Sequence, residues 1–143
     1  MLITRATEHS IRAVLHMAAK YPAPVVSKRE ICQAEEITAP FLTKILQPLI
    51  AKGIVKSKRG VTGGFSLAMP PDKLTLWDVM KAIEEPISFN LCLTQENDCG
   101  RTDFCPVHEI WKDVRNYMID SFSKKTLADL VKERTERLAS LNK

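Results

Sequence analysis

The feature that most restricts the fold is a change of period at Gly53. Before it, three segments repeat apolar residues at helical spacing. After it, Ile54-Val55-Lys56-Ser57-Lys58 and Phe65-Ser66-Leu67-Ala68 alternate as short strands, joined by the glycine-rich turn Arg59-Gly60-Val61-Thr62-Gly63-Gly64. Three helices followed by a two-stranded hairpin make a winged helix-turn-helix.

The helices carry their own punctuation. Ile11, Val14, Leu15 and Ala18 form the stripe of a helix over 5–20, stopped by Pro22 and Pro24. Ser27 with Glu30 is a capping box that starts a short helix holding Ile31 and Cys32. Thr38 caps a third helix, with Pro40 tolerated in its first turn. The third helix has the stripe Leu42, Ile45, Leu46, Leu49 and Ile50, and Gly53 ends it. Pro70-Pro71 then marks a boundary, and Thr75 with Asp78 caps a helix through Leu76, Val79, Met80 and Ile83. Residues 86–105 show no helical stripe. Pro106 suits the first turn of a long amphipathic helix carrying Val107, Ile110, Trp111, Val114, Met118 and Phe122. Thr126 with Asp129 caps a last helix through Leu127, Leu130, Val131 and Leu138.

The expected fold is therefore mainly α: a winged helix-turn-helix with a two-stranded wing, then a long dimerisation helix and a C-terminal helix. The division is a DNA-binding region over 1–70 and a second region over 71–143 that holds the loop 86–105. The stripe from Val107 to Phe122 is too apolar to leave in water, which predicts a twofold homodimer built on that helix.

Composition narrows the class. Hydrophobic residues at 45% and charged residues at 27% are a globular balance. No stretch approaches the roughly 20 apolar residues of a membrane span. The start, MLITRATEHS, lacks the apolar run of a secretory signal, so a cytoplasmic protein with no membrane partner is expected. Charge is uneven: residues 1–68 hold 10 Lys/Arg against 4 Asp/Glu, and residues 69–143 hold 11 against 13. The basic half is the candidate face for double-stranded DNA.

On that face the third helix offers Thr43, Lys44 and Gln47. Side chains near the N-terminus of such a helix reach base edges in the major groove. The hairpin adds Lys56, Lys58 and Arg59 with no acid between Lys52 and Ala68, and a basic tip suits the minor groove. Lys28 and Thr38, at the starts of the second and third helices, complete the set. A Lys/Arg run can also be a solvated face, and winged folds also serve as protein-interaction modules. Catalytic residues are not expected, since no base or oxyanion site suggests itself.

Cys92, Cys99, Cys105 and His108 form the pattern C-x6-C-x5-C-x2-H. Three thiolates and an imidazole suit either zinc or an iron–sulfur cluster. Structural zinc sites favour tight C-x2–4-C pairs, and the wider gaps suit a loop around a larger inorganic core. A disulfide would leave one thiol over and is disfavoured in a reducing compartment. Cys32 reads as a small buried hydrophobe. Spacing alone leaves His108 between a ligand and a structural histidine. A zinc-stabilised winged-helix interaction module that does not read DNA is the alternative function.

These residues resemble a family, the dimeric winged-helix iron–sulfur regulators of the IscR and NsrR type. The likeness lies in Arg59-Gly60-Val61-Thr62-Gly63-Gly64-Phe65-Ser66-Leu67, in the three loop cysteines, in Cys105-Pro106-Val107-His108-Glu109-Ile110-Trp111 and in Thr126-Leu127-Ala128-Asp129-Leu130. The resemblance implies that the helix after Pro106 dimerises and that Cys92, Cys99 and Cys105 ligate a cluster. It places His108 where the IscR branch has its fourth ligand, which implies 2Fe–2S. The NsrR branch takes a carboxylate from the partner's first helix for 4Fe–4S, and Glu8 lies in a comparable region. The implied function is a transcriptional regulator that senses redox state, iron–sulfur supply or nitric oxide and binds a palindromic operator. Thr43 stands where the IscR branch carries a base-sensing Glu, so the target sequence is not carried over.

Overall fold

The computed structural model describes residues 3–84, 90–94 and 99–143. The expected loop over 86–105 therefore lies partly outside the described residues. The order is α1 (Arg5–Lys20), α2 (Lys28–Glu35), α3 (Ala39–Ala51), β1 (Val55–Lys58), β2 (Gly64–Leu67), α4 (Leu76–Ile83), α5 (His108–Ser123) and α6 (Leu127–Leu141). The winged helix-turn-helix, the long helix and the C-terminal helix are all present.

Caps start most of these helices. Thr4 accepts from the Thr7 backbone N–H at α1. Thr75–Asp78 at α4 and Thr126–Asp129 at α6 are complete capping boxes. The box expected at α2 is only half built. Ser27 accepts from Glu30 N, but the Glu30 carboxylate turns to His16 Nε2 at 3.0 Å and Lys20 Nζ at 3.2 Å on α1. A charged partner holds a carboxylate more strongly than a backbone amide does. Thr38 occupies the N-cap of α3 in extended conformation but makes no side-chain capping bond. Pro48 sits inside α3 without ending it. The strands pair antiparallel with Val55 opposite Leu67 and Ser57 opposite Phe65. They are displaced from expectation by one residue at β1's start and at both ends of β2.

The core gathers on α1. Ala13, Val14, Ile31, Leu42, Leu46 and Leu49 have no exposed surface, and Leu74, Val79 and Leu127 from the second half join the same cluster. Burying each large aliphatic chain contributes about 1.5–3 kcal/mol before entropy is counted. The Leu127 backbone N–H donates to Leu74 O at 2.8 Å, and Thr75 bridges Thr126, so α6 is pinned beside the start of α4.

The wing is set against the helices by its glycines. Val26 pairs with Phe65 through two backbone hydrogen bonds of 2.8 and 2.9 Å. A Cβ on Gly64 would lie 2.1 Å from Val26 O, and one on Gly63 would lie 2.2 Å from Lys58 O. Only glycine lets the hairpin close and lie against α2's entry.

Candidate nucleic-acid interface and metal centre

The face between α3 and the wing is a groove of about 460 Å³. Five of the expected residues line it together: Lys28, Thr43, Gln47, Lys58 and Arg59. Its basic groups come from α2 and from the wing, so the chain fold itself concentrates the charge. Thr38, Lys44 and Lys56 are exposed but do not line the groove. Thr43 Oγ1 donates back to Ala39 O at 3.1 Å, so it is free to accept from a base amino group and can donate to a base only by exchanging that bond. Lys28 Nζ lies 6.0 Å from the Phe65 ring centre, within cation–π range.

Two contributors escaped the sequence reading. Ser57 lines the groove from the face of β1 that it shares with Val55, opposite Phe65, a placement the strand alternation could have shown. The second is a buried ionic chain behind the reading unit. Glu35 is 6% exposed and takes both terminal nitrogens of Arg134 on one carboxylate oxygen, at 3.2 and 3.1 Å. His16 Nδ1 stands 3.3 Å from the same oxygen. His16 and Lys20 also hold the Glu30 carboxyl below the usual glutamate range by hydrogen bonding. The chain ties α1, α2 and α6 together, and no spacing rule reveals it because Arg134 is 99 residues from Glu35.

The cysteines occupy two short turns ahead of α5. Cys92 lies in the 3₁₀ turn Leu91–Leu93, with its thiol donating to Asn90 Oδ1 at 3.6 Å. The Cys99 carbonyl accepts from Thr102 N and Thr102 Oγ1, which opens the turn Thr102–Phe104. Cys105 follows, and its carbonyl accepts from His108 N at 3.2 Å. All three thiols are free and half-buried. Cys32, also free, is half-buried against the core as expected for a packing residue. Among the described residues, no three His, Cys, Asp or Glu side chains are gathered closely enough to hold a metal. One atom nevertheless lacks a partner: His108 Nδ1 is buried with no hydrogen bond. Buried polar atoms are normally satisfied. An imidazole nitrogen unpartnered among the described residues, three positions after Cys105, has the donor chemistry that a thiolate–imidazole site needs. Glu8 is exposed on α1 and pairs with Arg12 at 3.7 Å.

The α5 helix begins at His108, two residues later than Pro106 would start it. Val107, Ile110, Trp111, Val114 and Tyr117 are all exposed along it.

A family model described as Rrf2, iron-dependent transcriptional regulator, matches residues 3–133. The chain belongs to the Rrf2 family. Protein aau3 of Rhizobium meliloti is 33% identical over 138 residues, covering 95% of this chain and 88% of that one. The structure of CymR, the global cysteine regulator of Bacillus subtilis, superposes with a TM-score of 0.75 at 26% identity, covering 93% of this chain and 98% of CymR. The T. potens IscR structure shares the fold with a TM-score of 0.74 at 23% identity, covering 96% and 90%. This Rrf2 chain is thus a DNA-binding transcriptional regulator and not an enzyme. Membership of a regulator family sets aside the alternative of a module that does not read DNA. No helix among the described residues is long and apolar enough to cross a membrane.

Proposed function

We propose that this Rrf2 regulator works as a homodimer in the cytoplasm, on a palindromic operator, and senses redox state, iron–sulfur supply or nitric oxide through a cluster held by Cys92, Cys99, Cys105 and His108. The observation that carries the reading is the buried, unpartnered Nδ1 of His108 at the head of α5, next in sequence to three free thiols. Three thiolates with one imidazole favour 2Fe–2S. The 4Fe–4S alternative would use Glu8 of the partner subunit. A bound cluster would supply one-electron redox chemistry and reactivity toward oxidants or nitric oxide.

The chain's own residues explain how such a site reaches DNA. His108 opens α5, so the loop that carries the thiols and α5 share one root. The other root is the end of α4, where Glu84 Oε1 accepts from Thr4 N at 3.1 Å, from Thr4 Oγ1 at 2.7 Å and from Thr7 Oγ1. Thr4 and Thr7 belong to the first turn of α1, and α1 packs on α2 and α3. Drawing the thiols together therefore acts on α5 and on α4, and α4 packs on α1 and α3 of the reading unit. The exposed face with Ile110, Trp111, Val114 and Tyr117 is assigned to a second copy of the chain, and twofold symmetry implies a palindromic target. Lys28, Thr43, Gln47, Lys58 and Arg59 form the groove contacts, with Thr38, Lys44 and Lys56 at its margins. The DNA-reading region over 1–70 and the sensing region over 71–143 are the two functional halves.

The test is iron and sulfide content with visible spectra of anaerobically purified protein. Wild type is expected to be brown. Cys92→Ala, Cys99→Ala or Cys105→Ala should lose most of the cluster, and Cys32→Ala should keep it. His108→Ala should keep a weaker cluster with a shifted reduction potential. A colourless zinc protein would overturn the reading. A cluster indifferent to His108→Ala but lost in Glu8→Ala would move the fourth ligand to Glu8.

A further inference from the structure

A cavity of about 420 Å³ opens at the root of the wing, away from the groove, and shares none of the groove's residues. It lies between the start of β1, the segment after β2 and α4. Its apolar wall is Ile54, Leu74 and Ala82, with Met69 at the mouth, 38% exposed. Lys73 and Lys81 enter from two different elements, the Pro71–Lys73 turn and the last turn of α4. Neither makes an ion pair among the described residues. Lys52 stands on the rim as a third cation.

One carboxylate faces these charges, and it is already engaged. Asp78 Oδ2 accepts from Thr75 N at 2.8 Å and Thr75 Oγ1 at 2.7 Å, as part of the α4 cap. Among the described residues the lining therefore sets Lys73 and Lys81 against one committed carboxylate. Like charges converging on a concave wall repel one another and concentrate an anion.

The cavity is also built in advance. Ala68 N donates to Ile54 O at 2.9 Å, Lys73 N to Pro70 O at 3.0 Å, and Leu127 N to Leu74 O at 2.8 Å. The backbone on both sides is thus fixed before anything binds, and the volume falls in the range of small-molecule sites, about 300–1,000 Å³. A concave wall with an apolar floor suits a compact ligand better than the outer surface of a duplex.

We propose that this cavity binds a small organic anion, with its charged group between Lys73 and Lys81 and its apolar part over Leu74, Ile54 and Met69. The site is independent of the cluster reading, since it uses none of the cysteines.

Phenyl phosphate is a suitable probe, with inorganic phosphate as the head group alone. The full chain, methyl-labelled at Ile, Leu and Met, is titrated at constant ionic strength. Saturable shifts are expected at the Ile54, Leu74 and Met69 methyls, with Kd of about 1 mM or tighter, and inorganic phosphate should bind more weakly. The double variant Lys73→Ala/Lys81→Ala should raise Kd roughly tenfold, a fair sum for two partly exposed charge contacts. Arg59→Ala should leave it unchanged. Both lysines are exposed, so the double variant should keep the wild-type methyl spectrum elsewhere. Absence of saturation, shifts centred on Ile50 in the groove, or an undiminished response in the double variant would overturn the proposal. So would a loss of duplex affinity in the double variant as large as that of Arg59→Ala, which would assign both lysines to the DNA backbone.

Discussion

Helices α1 and α5 each have 16 residues and an apolar stripe, yet they stand in opposite states. α1 buries Thr7, Ser10, Ala13, Val14, Met17 and Ala18, whereas α5 buries no residue. α1 is surrounded by α2, α3, α4 and α6 of its own chain. α5 has few neighbours and leaves Ile110 at 58% and Tyr117 at 72% exposure. The same amphipathic pattern thus produces a finished core in one region and an unfinished one in the other. A stripe specifies which face must be covered; the chain's topology decides whether the cover comes from within. Here α1 is covered by helices of both halves of its own chain, and α5 leaves its stripe open, the face that the proposed function gives to a second copy.

The sharpest way to break this contrast is to remove equal apolar bulk from each region. Leu46 has no exposed surface at the centre of the α3 packing. Leu46→Ala should cost about 2–5 kcal/mol, the sum of lost transfer energy and a cavity that relaxes only partly. Urea unfolding should show the loss equally at low and high protein concentration. Ile110→Ala should instead cost little at low concentration and show its deficit only where association contributes to stability. Equal, concentration-independent losses at both positions would mean that α5 is covered within its own chain.

A charge placed on the open face probes association directly. Ile110→Asp leaves the protomer core untouched but buries a carboxylate in the proposed interface. An unpaired charge at the centre of an interface costs roughly 2 kcal/mol or more, which weakens dimerisation about thirtyfold or more. Sedimentation velocity at micromolar concentration should show wild-type dimers and largely monomeric variant. A variant that remains dimeric would move the interface off this face.

The two regions also differed in how far the sequence exposed them. Helix order, the α4 and α6 capping boxes and the wing were all readable, because each rests on a pattern within one contiguous stretch of chain. Gly63 and Gly64 could be recognised as a turn, but their close approach to Lys58 and Val26 depends on how the hairpin docks. Glu30 fitted a cap motif and was instead recruited by His16 and Lys20, because tertiary packing brought stronger partners than the local amide. The Glu35–Arg134 pair lies beyond any local pattern. At the cysteines, spacing marked Cys92, Cys99 and Cys105 as candidate donors, and the buried Nδ1 of His108 adds a feature that spacing could not supply. The groove drew Lys28, Thr43, Gln47, Lys58 and Arg59 onto one surface, while Lys44 and Lys56 showed that a basic residue near a reading element need not line it.

The smallest expected effect lies at the joint between the regions, the carboxylate of Glu84. Burial works against its charge, but hydrogen bonds from Thr7 and Thr4 outweigh that and hold the carboxyl below the usual glutamate range. A lowered pKa means that the folded chain binds fewer protons than the unfolded one as acid is added. The stabilisation is then fully present above the ordinary glutamate value and is lost as the pH falls through the lower, folded one. Glu84→Gln keeps the shape and an acceptor oxygen but removes the charge, so it should cost about 1 kcal/mol at neutral pH. At pH 3 the gap between wild type and variant should be smaller than at neutral pH, because the carboxyl of the unfolded chain is then protonated and the charge-dependent stabilisation declines. Urea midpoints of both proteins at the two pH values measure the difference. A gap that persists undiminished at pH 3 would mean that Glu84 acts through its shape alone. No gap at neutral pH would mean that α1 and α4 hold together without the clasp, joined by packing only.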